Sequence, residues 1–193
     1  MTTTIVMMLT AYLLGSIPTA YLFGRFGKNI DIRNEGSGNI GGMNIYKTAG
    51  LLPGILTVLI DVGKGALAVF IALSFSGNPA VVFLCGFLVI AGHNYSLFMK
   101  FRGGKGLATA LGVFIILSPF SIIFAILFAV TLTLFLKDAN TAFGSATLSI
   151  PLILWLQYSE WEWVVFGLAV ALIIIIKHIP DYRAYARGRR KLI

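Results

Sequence analysis

An all-α protein that crosses a membrane several times is predicted by three features of this sequence: long apolar runs, scarce charge and a one-sided distribution of basic residues. Hydrophobic side chains make up 58% of the chain, charged ones only 11%, and the mean hydropathy is +0.92. A water-soluble domain of 193 residues could not cover its surface with so few charges. The apolar runs belong in lipid.

Those runs are Ile5–Phe23, Leu51–Phe75, Ala80–Met99, Leu107–Leu136, Phe143–Trp155 and Val164–Ile176. The fourth is too long for one ordinary span, since a helix of that length would reach about 45 Å against a hydrocarbon core of about 30 Å. Ser118-Pro119 falls within it, and proline breaks helices by removing a backbone donor. Splitting there, into Leu107–Leu117 and Phe120–Leu136, predicts seven helices. Leu107–Leu117 covers only about 17 Å, so it is extended by loop residues, meets a thinned bilayer or forms a re-entrant half-helix.

Charge placement tests the count. With seven spans the N-terminus is outside and the C-terminus cytoplasmic. The inward loops then hold Arg25, Lys28, Arg33 and Lys47; Lys100, Arg102 and Lys105; and Lys137. The tail from Lys177 adds Arg183, Arg187, Arg189, Arg190 and Lys191. The outward turns, Gly77–Pro79, Ser118–Pro119 and Gln157–Glu162, hold no Lys or Arg, and of 15 basic residues only Lys64 falls within a span. A six-span reading would place Lys137 and the basic tail on opposite sides. The longest polar stretch is Arg25 to Gly50, so the chain, 1–193, is expected to be a single membrane domain. Met1-Thr2-Thr3-Thr4 lacks a basic signal-peptide start, so the first run is expected to be a retained helix. Cys85 sits in an apolar run and reads as a small buried hydrophobe. No internal repeat is evident, which weighs against a transporter of duplicated halves.

The inward loops hold the chemistry. Between Arg33 and Lys47, Gly36, Gly38, Gly41 and Gly42 let the backbone turn tightly and bring its amides near a ligand. Ser37, Asn39 and Asn44 add neutral hydrogen-bonding groups and Lys47 adds charge; with a helix start nearby they can surround a phosphate. The plain alternative is a flexible hydrophilic loop. In the second loop, Gly103-Gly104-Lys105-Gly106 precedes a helix like a phosphate cradle topped by a lysine, although the G-x-x-x-x-G-K-[ST] spacing of a P-loop is missing. Asp61 and Lys64 lie three residues apart on one helical face. They either neutralise each other or face the polar site. His93 and His178, the only imidazoles, are each expected near the cytoplasmic end of a helix. Ser145, read as lying at the start of the sixth helix, is placed to cap it or to donate to a ligand. The seven carboxylates form no paired acidic motif for Mg²⁺, and no zinc-type His/Cys set exists, so neither a metal nor an organic cofactor is expected.

Gly36-Ser37-Gly38-Asn39-Ile40-Gly41 with Asn44, then Asp61 and Lys64-Gly65, then Gly92-His93-Asn94, Phe98 and Gly103-Gly104-Lys105-Gly106-Leu107-Ala108-Thr109 follow in an order and spacing that resemble the bacterial acyl-phosphate-dependent glycerol-3-phosphate acyltransferase family. The likeness spans nearly the whole chain, including Gly144-Ser145 and His178. It departs at Lys47, where the family commonly has Arg, at Asn140-Thr141, and in the tail Ile179-Pro180-Asp181-Tyr182.

The resemblance implies transfer of a fatty acyl group from a long-chain acyl phosphate to glycerol 3-phosphate, giving lysophosphatidic acid and phosphate. The expected setting is the bacterial inner membrane, with membrane lipid and the soluble enzyme that makes acyl phosphate as partners and no nucleic acid. The expected catalytic residues are Ser37, His93, Lys105 and His178. Gly36, Gly38, Asn39, Gly41, Asn44, Lys47, Asn94, Gly103, Gly104, Gly106 and Ser145 are expected to bind substrate. The hydroxyl proton can go to His93, to His178 or to a substrate phosphate; a Ser37 acyl-enzyme is the rival route. A small anion or phosphate carrier is the reading from a different class.

Overall fold

The computed structural model describes residues 2–188, and their regular structure is entirely helical. Arg189, Arg190 and Lys191 of the basic tail lie outside the described residues. Six segments are long and apolar enough to cross a bilayer: Thr2–Lys28, Leu51–Phe75, Pro79–Met99, Pro119–Leu136, Ala139–Tyr158 and Trp161–Ala186. Leu107–Leu117 is a seventh, shorter apolar helix, so the seven expected helices all have counterparts. The chain forms two compact units, the first ending at Ile116 and the second beginning at Leu117.

In the first unit the opening segment is α1 (Thr2–Ser16) followed by α2 (Thr19–Lys28). A single helix over Ile5–Phe23 was the expectation; the break falls at Ile17-Pro18. Pro18 has no N–H to donate to the Leu14 carbonyl, and the Ile17 N–H takes that acceptor at 3.3 Å instead. The polar stretch expected as loop contains a helix, α3 (Gly42–Ala49), joined through Gly50 at φ 104° to α4 (Leu51–Phe75). The two form a tight hairpin: a Cβ on Gly42 would press on the Val58 side chain, and one on Gly54 would lie 2.7 Å from Tyr46 Cβ. A three-residue turn then leads to α5 (Pro79–Asn94), where the Asn78 side chain accepts the Ala80 N–H at 2.9 Å. A 3₁₀ turn, Leu97–Met99, and an irregular stretch lead to α6 (Leu107–Leu117).

Absent side chains let these helices approach. A Cβ on Gly15 of α1 would collide with the Val89 carbonyl of α5, and one on Gly92 of α5 with the Tyr12 carbonyl of α1. Gly65 of α4 and Gly112 of α6 meet the Thr109 and Val62 carbonyls in the same reciprocal way. Between lipid-embedded helices hydrophobic burial supplies little net drive, so this close backbone packing matters more. Ser96 Oγ donates to the Ser16 carbonyl, and Tyr12 Oη donates to the Tyr95 carbonyl at 2.7 Å, fastening the start of the second loop to α1.

The second unit holds α7 (Pro119–Leu136), α8 (Ala139–Ala146), a 3₁₀ turn at Thr147–Ser149, α9 (Ile150–Tyr158) and α10 (Trp161–Ala186). The sixth span starts at Ala139, not Phe143, because Asp138 caps it by accepting the Thr141 N–H at 2.7 Å. Ser145 is therefore the penultimate residue of α8 and not its cap. The last span continues past Ile176, through Pro180, to Ala186. Ser118 and Ser121 at the start of α7 both donate to Gln157 Oε1, and Tyr158 stacks on Trp163 with centroids 3.9 Å apart.

Gly15→Val should force α1 from α5 and destabilise the protein by about 1–3 kcal/mol. The check is the thermal unfolding midpoint in detergent; an unchanged midpoint would show that the contact has slack.

Candidate active site

The first glycine-rich loop is organised by one amide. Asn44, buried on α3, accepts the Ser37 N–H at 3.0 Å through Oδ1, while its Nδ2 faces the carbonyls of Ile32 at 3.2 Å and of Glu35 and Asn39 at 3.0 Å each. These bonds draw the loop around the N-terminus of α3. Gly36 and Gly38 take φ of 55° and 70°, and a Cβ on Gly36 would strike Asn44 Oδ1. Ile32, Ile40 and Ile45 pack with Ala20 beneath the loop. Ser37 is exposed, and its Oγ accepts the Asn39 N–H at 3.4 Å. The Asn39 side chain lies over Gly41, and Lys47 is exposed on α3. At the loop's start Arg33 Nη2 meets Asp31 Oδ2 at 2.6 Å. The Arg33 hydrogen bond holds the Asp31 carboxyl down at about 2.

The second loop closes on the end of α5. The Gly104 N–H donates to the His93 carbonyl at 3.0 Å. A Cβ on Gly103 would collide with that carbonyl, one on Gly104 with His93 Nε2, and one on Gly106 would sit 2.6 Å from Asn94 Oδ1. Gly106 also takes φ 88°. The glycines expected to form an open cradle are thus filled from behind by His93 and Asn94, both buried. The Ile40 carbonyl lies 2.9 Å from where the Gly104 Cβ would be, so the two loops meet there. Lys105 is half-buried between its glycines.

Behind His93 lies a charged cluster. Lys64 Nζ sits 2.8 Å from Asp61 Oδ1, 2.9 Å from His93 Nδ1 and 3.2 Å from the Ile17 carbonyl. Thr19 Oγ1 donates to Asp61 Oδ1 at 3.0 Å. The expected Asp61–Lys64 pair therefore forms, and it also faces a candidate site residue.

The remaining candidates gather in the second unit. His178 is buried in α10 and donates from Nδ1 to the Ile174 carbonyl at 2.8 Å. It is not at the helix end, because α10 runs on for two more turns. Gly144 packs on the His178 ring and Tyr182 Oη, and a hydrogen bond joins Ser145 to Tyr182.

A family model described as glycerol-3-phosphate acyltransferase matches residues 5–188. The chain belongs to the glycerol-3-phosphate acyltransferase family. Among similar acyltransferases is "Glycerol-3-phosphate acyltransferase 2" of Dehalococcoides mccartyi, 41% identical over 176 residues, covering 91% of this chain and 84% of that protein. The glycerol-3-phosphate acyltransferase of Syntrophotalea carbinolica is 40% identical over 191 residues, 97% of this chain and 96% of that one. The crystal structure of PlsY (YgiH), an integral membrane glycerol 3-phosphate acyltransferase, in its glycerol 3-phosphate form, matches with a TM-score of 0.91 at 31% identity, over 99% of this chain and 96% of that chain. Its lysophosphatidic acid form matches with a TM-score of 0.89 at 30% identity, over 99% and 95%. Like that enzyme, this acyltransferase is a multi-pass membrane protein.

Three structural features of the candidate site escaped the sequence reading: the hydrogen bonds by which Asn44 organises the first loop, the Lys64–His93 contact and the packing of Gly104 against Ile40. The first had a signal only in the Asn that follows the glycine run. The others join segments far apart in the chain. Asn44→Ala should leave the Ser37 N–H and three carbonyls to water or to strain, costing about 1–3 kcal/mol of local order. Hydrogen exchange should then quicken across residues 32–41 before it does in α4; uniform exchange rates would show that Asn44 does not organise the loop.

Proposed function

We propose that this protein transfers a long-chain acyl group from acyl phosphate to the primary hydroxyl of glycerol 3-phosphate, with no covalent enzyme intermediate. The observation that supports this reading most is the meeting of the Gly36–Gly41 turn, the Gly103–Gly106 turn and His93 in one unit. It brings the N-terminus of α3 and the loop that carries Lys105 together, with Lys47 further along α3, in a chain of this acyltransferase family. Two phosphates are brought together in the reaction, so fixed donors and lysines must offset their repulsion.

Acyl phosphate is a mixed anhydride and needs no further activation. The glycerol oxygen bonds to the carbonyl carbon, the carbonyl carbon–phosphate oxygen bond breaks, and the hydroxyl proton ends on the departing phosphate. That phosphate would otherwise leave as the strongly basic trianion. The enzyme's part is alignment and charge stabilisation. Ser37, Asn39, Lys105 and Lys47 are assigned to the phosphates in this scheme, while Asn44, Asn94 and the loop glycines hold the shape. Ser37 is a poor nucleophile here, because its Oγ meets the Asn39 N–H and no imidazole or carboxylate among the described residues.

A groove of about 300 Å³ on the α3–α4 hairpin is lined by Gly42, the residue after the loop, with Met43, Tyr46, Ile55, Val58 and Leu59. We assign it to the acyl chain, which would enter from the bilayer. The basic loops are placed on the cytoplasmic side of the inner membrane by the positive-inside rule, within reach of a soluble enzyme that makes acyl phosphate. Both units are taken to serve one catalytic domain.

Purified protein in detergent should release phosphate from palmitoyl phosphate plus glycerol 3-phosphate without CoA. Lys105→Ala should lower kcat/KM about 10²–10³-fold, and wild-type protein should trap no acyl label on Ser37. Absence of phosphate release, with uptake of phosphate by sealed vesicles, would mark a carrier. Ile55→Trp, which fills the groove, should raise KM for palmitoyl phosphate about tenfold and leave butyryl phosphate nearly unaffected. Equal effects on both donors would place the chain elsewhere.

A further inference from the structure

Lys64 lies within α4, 4% exposed, and its Nζ makes three polar contacts, to Asp61 Oδ1, the Ile17 carbonyl and His93 Nδ1. Two of these partners, the Asp61 carboxylate and the Ile17 carbonyl, can only accept. Their distances of 2.8 and 3.2 Å require N–H groups from Lys64, and the ion pair with Asp61 requires the ammonium form. An ammonium has no lone pair. The contact of 2.9 Å to His93 Nδ1 must then also be a donation from Lys64, with the ring nitrogen accepting. A proton on Nδ1 would point at the third N–H of the ammonium. Asp61 Oδ1, 3.7 Å from Nδ1, is too far to draw that proton by a hydrogen bond.

An imidazole that accepts at Nδ1 carries its proton at Nε2. That atom lies against Gly104, where any Cβ would collide with it, and the Gly104 N–H is tied to the His93 carbonyl. His178 is set the opposite way. Its Nδ1 faces the Ile174 carbonyl, which can only accept, so its neutral ring has the lone pair at Nε2.

We propose that Lys64 is a positioning residue of the transfer site: it holds His93 in the Nε2–H form, so that His93 presents a donor, and not a base, to an anion bound at the Gly103–Gly106 turn. The donor role rests on the acyltransferase reading; the form of the ring does not. Asp61 keeps Lys64 charged, and Thr19 keeps Asp61 in place.

The chain has two histidines, so a long-range ¹H–¹⁵N ring spectrum at pH 7 contains two ring systems, assigned with His178→Gln. The expected result is a protonated Nε2 and a bare Nδ1 on His93. A proton on Nδ1, alone or with Nε2, overturns the proposal. Asp61→Asn combined with Lys64→Met removes both charges without stranding either, and should release His93 into a mixture of ring forms. A pure Nε2–H signal in that folded double variant removes Lys64 from the scheme.

His93→Gln keeps an acceptor for Lys64 and an N–H beyond it, and should stay within about tenfold of wild-type turnover, whereas His93→Leu should lose a hundredfold or more. Equal losses would mark His93 as a base. Wild-type turnover on the same sample tests the acyltransferase reading separately. An inactive protein with His93 in the Nε2–H form would overturn the donor role and leave the ring assignment standing.

Discussion

The ion pair between Asp61 and Lys64 is the contact on which the site's placement depends. A lone charge at the centre of a membrane helix costs about 2.5–3.5 kcal/mol on insertion scales, so each partner needs the other and needs its remaining hydrogen-bonding capacity met. Asp61 takes Thr19 from α2, and Lys64 takes the Ile17 carbonyl at the proline break and His93 at the end of α5. Three segments of the chain are thereby fixed at one point. Removing one partner would strand a buried charge, while removing both would cost far less, the usual asymmetry of buried pairs.

From that point the geometry propagates by steric exclusion. His93 is held by Lys64, and Gly104 fits only because it has no side chain between the His93 ring and the Ile40 carbonyl. The first loop is held in turn by Asn44, whose amide spans four backbone groups. Glycine therefore does two jobs in this family member. At Gly36, Gly38 and Gly106 it permits a left-handed backbone; at Gly103 and Gly104 it permits contact. Either way the loop backbone is held in one shape by contacts within the protein.

The same device sets the helices. Reciprocal glycine–carbonyl contacts join α1 to α5 and α4 to α6, bringing backbones together where lipid offers little hydrophobic drive. Helix α5 ends at Asn94, level with Lys64 and Ile17, both mid-span residues.

How far the sequence alone reached follows from the range of each interaction. Hydropathy and proline placement are local quantities, so the seven apolar helices, including the split at Ser118-Pro119, were readable along the chain. The ordered motifs from Gly36 to Thr109 were enough to point to the acyltransferase family, and the Asp61–Lys64 pair was legible because a helix repeats on a short period. Local caps set the boundaries less visibly: Asp138 began α8 four residues early and turned Ser145 from a cap into an interior residue. Only the tertiary structure decided that the polar segment after α2 folds back as α3, and that Gly104 meets His93 and Ile40. It also decided that Lys64 faces His93 Nδ1. Gly104 and Ile40 are 64 positions apart and Lys64 and His93 29, where no sequence periodicity relates them and only the packing of whole helices brings them into contact.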